Sequence, residues 1–254
     1  MSGKVYLVGA GPGDPELLTL RASRVLATAD VVIHDRLVHP GTLALVRPHA
    51  RLIYAGKEGG GASTPQEEIH QLMVDQARLG RVVVRLKGGD PFMFGRGGEE
   101  ALALEAAGIA YEVVPGVTSG VAGPMAAGIP VTHRGVSNAV TFATAQLAKG
   151  EPDWEHLARS PTLVLFMAGR NTAAVMEKLR RAGLAAHKPV ALVEYATWEQ
   201  QRVLEATVET VGAQVDAATL TGPALLIVGD VVKLRKQLHA LVQDAGRELV
   251  THAS

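Results

Sequence analysis

Along the first half of the chain, short apolar runs alternate with glycine-rich breaks and stretches of helical spacing. Val5 to Val8, Val31 to Ile33, Arg51 to Tyr54, Val82 to Val84 and Tyr111 to Val114 are brief and mostly rich in β-branched residues, which predicts strands. Between them, Leu18, Ala22, Val25, Leu26 and Ala29 make one apolar face at helical spacing, as do Ile69, Leu72, Met73 and Ala77. Pro40 to Val46 reads as a short helix, and Glu99 to Ala107 as another that ends at Gly108. Thr64-Pro65-Gln66-Glu67 predicts a helix start with Thr64 as the N-cap, and Gly80 closes that helix. Near the N-terminus two starts stay open: Asp14 capping a helix with Pro15 first, or a start at Thr19. Strand, loop and helix in this alternation predict a largely parallel sheet.

The second half follows another pattern. Thr118 or Ser119 can cap a helix of small residues running to Gly128, and Pro130 to Gly135 has no period of its own. Strands are expected at Val140 to Thr144, Thr162 to Met167, Val190 to Tyr195, Arg202 to Val208 and Ala224 to Val228, with a helix from Thr172 to Ala182. Gln201 to Glu209 alternates polar and apolar residues, which predicts an antiparallel strand with one wet face. The tail after Val232 reads as an amphipathic helix fading into a mobile end. The expectation is two closely packed α/β domains, 1–115 and 116–254.

Composition narrows the chemistry. At 254 residues, 47% hydrophobic and 20% charged, the chain can bury a sizeable core. Its formal net charge is zero, so neither nucleic acid nor a membrane surface is expected as a partner. With no cysteine there is no disulfide, thiolate catalysis or Cys-based metal site. The nine histidines show no metal-ligand spacing, so no metal is expected. The first residues go straight into a strand without a leader pattern, and no uninterrupted apolar run spans a bilayer, which predicts a cytoplasmic protein.

The stretch Val82 to Glu100 is the most informative. A buried strand ends at Lys87, and Gly88-Gly89-Asp90-Pro91 then continues neither strand nor helix. A glycine-rich loop at the carboxyl end of a strand in an open α/β sheet is where ligands sit. There Asp90 can hydrogen-bond hydroxyls such as those of a ribose, or simply serve a surface turn. Gly9-Ala10-Gly11-Pro12-Gly13 after the first strand suggests a dinucleotide site with Asp30 or Asp35 as the ribose acid. Against that, the third glycine is replaced by Asp14, and Pro12 and Pro15 remove amide donors that a pyrophosphate would use. No phosphate loop, nucleophile elbow or carboxylate pair is present.

Taken together the motifs resemble one family. Val8-Gly9-Ala10-Gly11-Pro12-Gly13-Asp14-Pro15 with Leu17-Leu18-Thr19-Leu20 is similar to the first signature of the tetrapyrrole C-methyltransferases. Val84 to Phe92, followed by Gly95-Arg96-Gly97-Gly98-Glu99-Glu100, is similar to the second. Asp35-Arg36-Leu37-Val38, Pro115 to Ser119, Thr132 to Gly135 and Pro223-Ala224-Leu225 also fit, so the resemblance covers essentially the whole chain. Later corrin-ring, diphthine and ribosomal-RNA methylases share the first signature. The second points to members that act on uroporphyrinogen III.

The resemblance implies a homodimer of two α/β domains with S-adenosylmethionine in a cleft between them. The acceptor it implies is uroporphyrinogen III, methylated twice, to precorrin-1 and then precorrin-2, on the route to sirohaem or cobalamin. Carried over by position, donor contacts would come from Pro12, Gly88, Gly89, Asp90, Met93, Thr118, Ser119 and Met167, with backbone near Ala196 and Ala224. Asp35 would accept a proton and Lys57 donate one; each also reads as an ordinary turn or loop residue. Arg36, Lys57, Lys87, Arg96 and Arg134 would line the way for an acceptor with eight carboxylates, Arg134 foremost, and His133 is as well read as a structural residue. Two residues depart from the family pattern: His34 stands where Tyr is common, and Ala196 where Gly is frequent. The chain is expected to lack the dehydrogenase–ferrochelatase module fused to some members, and so to be monofunctional. The readings set beside this one are a later precorrin or cobalt-precorrin methylase, a nicotinamide-dependent oxidoreductase and a non-catalytic tetrapyrrole sensor.

Overall fold

The computed structural model describes residues 3–56, 64–147 and 149–238. The chain divides into two compact units, with the division falling after Thr118. The first carries a five-stranded parallel sheet of β1 (Lys4–Gly9), β2 (Val31–His34), β3 (Arg51–Tyr54), β4 (Val82–Lys87) and β5 (Tyr111–Val114), in the order β3-β2-β4-β1-β5. Alternate side chains of the strands pack on opposite faces. Val5, Leu7, Ile33 and Val83 meet Ile69, Met73 and Ala77 of α3 (Gln66–Arg78) and Ala101 and Leu104 of α4 (Gly97–Ala106). Val8, Val32, Val84 and Leu86 meet Ala22, Val25 and Leu26 of α1 (Leu20–Leu26), with Leu43 of α2 (Pro40–Leu43) alongside. Central strands covered on both faces explain the unbroken apolar runs.

The strand order sets the place of the site. From β1 the chain crosses to β2 on one side, and from β4 it crosses to β5 on the other, with α1 and α4 on opposite faces. The connections therefore diverge at the carboxyl ends of two neighbouring strands, the switch point where such sheets open a crevice.

The second unit is a mixed sheet of β6 (Thr141–Thr144), β7 (Thr162–Phe166), β8 (Pro189–Glu194), β9 (Arg202–Thr207) and β10 (Ala224–Gly229), ordered β6-β7-β10-β8-β9. Among the described residues of this sheet only β6 and β7 pair in parallel, and β9 runs antiparallel to β8 as its alternation predicts. One face packs against α6 (Trp154–Ala158), α7 (Thr172–Arg181) and α8 (Val211–Ala218), through Leu157, Val175, Leu179, Val211 and Val215. The other holds Ala127 and Ile129, just beyond α5 (Ser119–Ala126), and Val231 and Val232.

Both N-terminal starts are used. Asp14 caps a 3-10 turn, Pro15–Leu17, by accepting from the Glu16 amide, and Thr19 caps α1 by accepting from Ala22. The α3 start differs from the expectation: Pro65 takes the cap position without a side-chain bond, and Thr64 stands one residue outside. Helix α4 begins at Gly97, two residues before Glu99. The short helices α6 and α8 were not foreseen, since five and eight residues give too few turns for a clear period. After β10 the chain first makes a 3-10 turn, Asp230–Leu234, and the expected tail helix lies mostly outside the described residues.

Candidate functional site

The loops after β1 and β4 are joined backbone to backbone. Gly11 N donates to Gly89 O (3.2 Å), Gly89 N to Gly11 O (2.7 Å), and Ala10 N to Lys87 O (2.7 Å). Gly9 and Gly116 press on the same spot: a Cβ on Gly9 would lie 2.5 Å from the Gly116 Cα, and one on Gly116 2.7 Å from the Gly9 Cα. The glycines of these motifs therefore serve close packing of three loops on one another, as well as any approach to a ligand. Asp90 completes the tie. Its Oδ1 accepts from Phe92 N (2.8 Å) and its Oδ2 from Gly116 N (3.0 Å), which fastens the β4 loop to the chain leaving β5. Pro12, Gly88 and Met93 are half-buried around it, and Thr118 ends the unit. Phe94 and Arg96 hold left-handed backbone (φ 52° and 59°), a region in which bulky side chains are rare.

Asp35 leaves the carboxyl end of β2. Its Oδ1 accepts from the Leu37 amide at 2.9 Å, and its Oδ2 lies 3.6 Å from Nη2 of Arg85. His34 packs edge-on against Tyr54 of the neighbouring strand, 5.6 Å between ring centres. Lys57 lies outside the described residues.

The basic residues part company. Arg36, Arg96 and Arg134 are exposed, and Arg96 forks onto Glu99 (2.9 and 2.6 Å). Arg134 sits in a turn closed by reciprocal His133 and Ser137 backbone bonds (2.9 Å each), and Ser137 Oγ accepts from Thr162 of β7. Lys87 does not reach the surface as expected. It is 4% exposed, and its ammonium donates to Glu100 Oε1 at 2.9 Å. Burial, and then the neighbouring Arg85, hold its pKa below the ordinary lysine value.

In the second unit, register brings three distant positions to one sheet end. Leu165 faces Leu226 and Ala224 faces Glu194, so Met167, two residues past Leu165, Ala224, and Ala196, two residues past Glu194, lie at the same end of the sheet. Met167 is half-exposed with φ 58°, whereas Ala196 is buried and offers backbone. Ser119 opens α5. Among the described residues, no His, Asp and Glu side chains cluster to hold a metal ion, and no helix is long and apolar enough to cross a membrane.

Residues 4–212 match the family model of the tetrapyrrole (corrin/porphyrin) methylases. The chain belongs to that family. A relative from Sinorhizobium sp. named uroporphyrinogen-III C-methyltransferase is 48% identical over 252 residues, covering 97% of this chain and 90% of the relative. A sirohaem synthase from Nitrosospira multiformis is also 48% identical over 94% of this chain, which spans 51% of that longer protein. Among solved structures, a uroporphyrin-III C-methyl transferase from Thermus thermophilus complexed with S-adenyl homocysteine is similar with a TM-score of 0.80 and 45% identity, over 91% of this chain and all of that one.

Within this family fold, two buried carboxylates escaped the sequence reading. Glu100 accepts at one oxygen from Arg85 Nε (3.0 Å), Lys87 Nζ (2.9 Å) and Gln66 Nε2 (3.1 Å). Glu194, at the end of β8, is equally buried. A signal for Glu100 was present: it shares the helix face of Gly97, Ala101 and Leu104, so the period itself points it inward. Glu194 ends an apolar strand, and its partners come from β9 and the loop before β10, which no local pattern discloses.

Proposed function

We propose that the chain is an S-adenosylmethionine-dependent methyltransferase that converts uroporphyrinogen III through precorrin-1 to precorrin-2. The observation that carries this is the 48% identity to a protein of that name over nearly the whole of both chains. The residues also suit the donor. Each oxygen of Asp90 accepts one backbone amide among the described residues, which leaves a lone pair on each for ribose hydroxyls. Pro12, Gly88, Gly89, Met93 and Thr118 supply backbone and apolar surface around it. From the second unit, Ser119, Met167, Ala196 and Ala224 are read as further donor contacts.

A methyl group on a sulfonium is already activated for displacement at carbon, so positioning and exclusion of water are the help required of the protein. Asp35 is the residue we assign to take the proton that leaves the macrocycle, its carboxylate aimed by the Leu37 amide and the Arg85 guanidinium. Lys57 is assigned as proton donor. The exposed guanidinium groups of Arg36, Arg96 and Arg134 bind the acceptor's carboxylates. Lys87, committed to Glu100, drops out of that set. The same reading makes the working form a cytoplasmic homodimer whose product goes toward sirohaem or cobalamin.

The test is to supply uroporphyrinogen III, and in parallel later precorrins, each with donor labelled in the methyl group. Two labels per acceptor and the absorbance of precorrin-2 are expected. Label entering only a later precorrin would overturn the acceptor assignment, and no label on any tetrapyrrole would overturn the activity.

A further inference from the structure

Glu194 closes β8 and is fully buried. Its Oε2 accepts from Arg202 Nε of β9 at 2.7 Å, and Nη2 of the same guanidinium pairs with it as well. Its Oε1 accepts from the amides of Thr221 (2.6 Å) and Gly222 (2.7 Å) in the loop that leads into β10. Burial pushes the carboxyl upward, but the Gly222 and Thr221 amides and Arg202 outweigh it and leave it below its ordinary value. One carboxylate thus binds the ends of three strands.

The turn that follows it is strained. Tyr195 and Thr197, on either side of Ala196, hold left-handed backbone (φ 50° and 65°), as does Met167 just past the end of β7. Left-handed non-glycine residues persist only where their surroundings over-determine them, and they gather at functional sites. Here the surroundings can be named. Tyr195 N donates to Pro223 O (3.0 Å), its ring leaves no room for a Cβ on Gly222, and Thr197 N donates to Gln201 Oε1 (2.7 Å). Glu194 holds the 221–222 side of the same clamp, one residue ahead of Pro223 and two ahead of Ala224. Glycine would take these positions without that steric cost.

We infer that Glu194 is a positioning residue for the methyl donor: its carboxylate sets the backbone at Ala196 and Ala224 in the shape that receives the S-adenosyl group. This rests on the donor site proposed above.

The experiment compares the full chain with its Glu194→Gln variant, titrated with S-adenosylhomocysteine by calorimetry and assayed at saturating donor. A glutamine keeps the volume but cannot accept from both amides and the guanidinium. Donor affinity should fall about tenfold, while kcat at saturating donor and KM for the tetrapyrrole stay within about twofold. Trp198, 5.8 Å from the Tyr195 ring, should change its emission in step. If that variant does not fold, Arg202→Lys serves, with about a threefold loss of donor affinity expected. Unchanged donor affinity in the folded variant, or a drop in kcat with affinity intact, overturns the inference. A wild-type chain that binds no S-adenosylhomocysteine overturns the proposed function and this role with it.

Discussion

Lys87 Nζ lies 2.9 Å from Glu100 Oε1 with both side chains buried, and Arg85 Nε meets the same oxygen at 3.0 Å. Two cations of a central strand thus share one helix carboxylate, whose other oxygen finds no hydrogen-bond partner among the described residues, and Arg85 also lies 3.6 Å from Asp35. Such a cluster adds little stability as a whole, but breaking it leaves charge buried without an opposite. Glu100→Ala should destabilise the chain by about 3–5 kcal/mol in urea unfolding. A loss under about 1 kcal/mol would mean that the two cations find water on their own.

The glycines of the family motifs separate by what surrounds them. Gly116→Ala drives a methyl into the backbone of Gly9 and should cost about 1–3 kcal/mol, with weaker binding of S-adenosylhomocysteine. Gly98, in the first turn of α4, has open space around its missing Cβ. Gly98→Ala should raise stability by up to about 1 kcal/mol, because alanine favours the helix. Thermal unfolding of both variants reads the contrast directly.

Asp90 accepts two backbone amides with two different oxygens. In Asp90→Asn one of those amides would face an NH2 group, donor against donor. The expected result is about 1–3 kcal/mol less stability and a clear loss of affinity for S-adenosylhomocysteine. Retained affinity in calorimetry would remove Asp90 from the donor site.

Asp35 and Arg134 are predicted to fail in different ways. Asp35→Asn should lower kcat by about 10²–10⁴-fold with donor affinity unchanged, as expected on loss of a proton acceptor. Arg134→Ala should raise KM for the tetrapyrrole about tenfold and leave kcat near its original value. Steady-state assays of the two variants side by side decide between these patterns.

Acid should loosen the second unit through Glu194. Its carboxyl is held below the unfolded value of 4.5, so its contribution is complete above that pH and is lost as pH falls through the folded value. Melting temperatures taken from about pH 6 down to about pH 3 should fall less steeply in Glu194→Gln than in the wild-type chain. Parallel curves would show that other carboxylates carry the acid transition.

Much of the architecture could be read directly, because its causes are local. Val82 to Val84 make a strand wherever two faces are to be covered, Thr19 caps whatever helix follows, and the Pro and Gly residues of the loops exclude regular structure in any context. The family motifs were equally plain, since they lie in contiguous runs from Val8 and from Val84. Tertiary structure decided the rest. Gly9, Gly89 and Gly116 share one crowded space only because β1 lies between β4 and β5 in the sheet. Lys87 belongs to the interior because α4 crosses above it and presents Glu100. Met167, Ala196 and Ala224 reach one end of the second sheet through antiparallel register, which hydrogen bonds between strands set and no single segment contains.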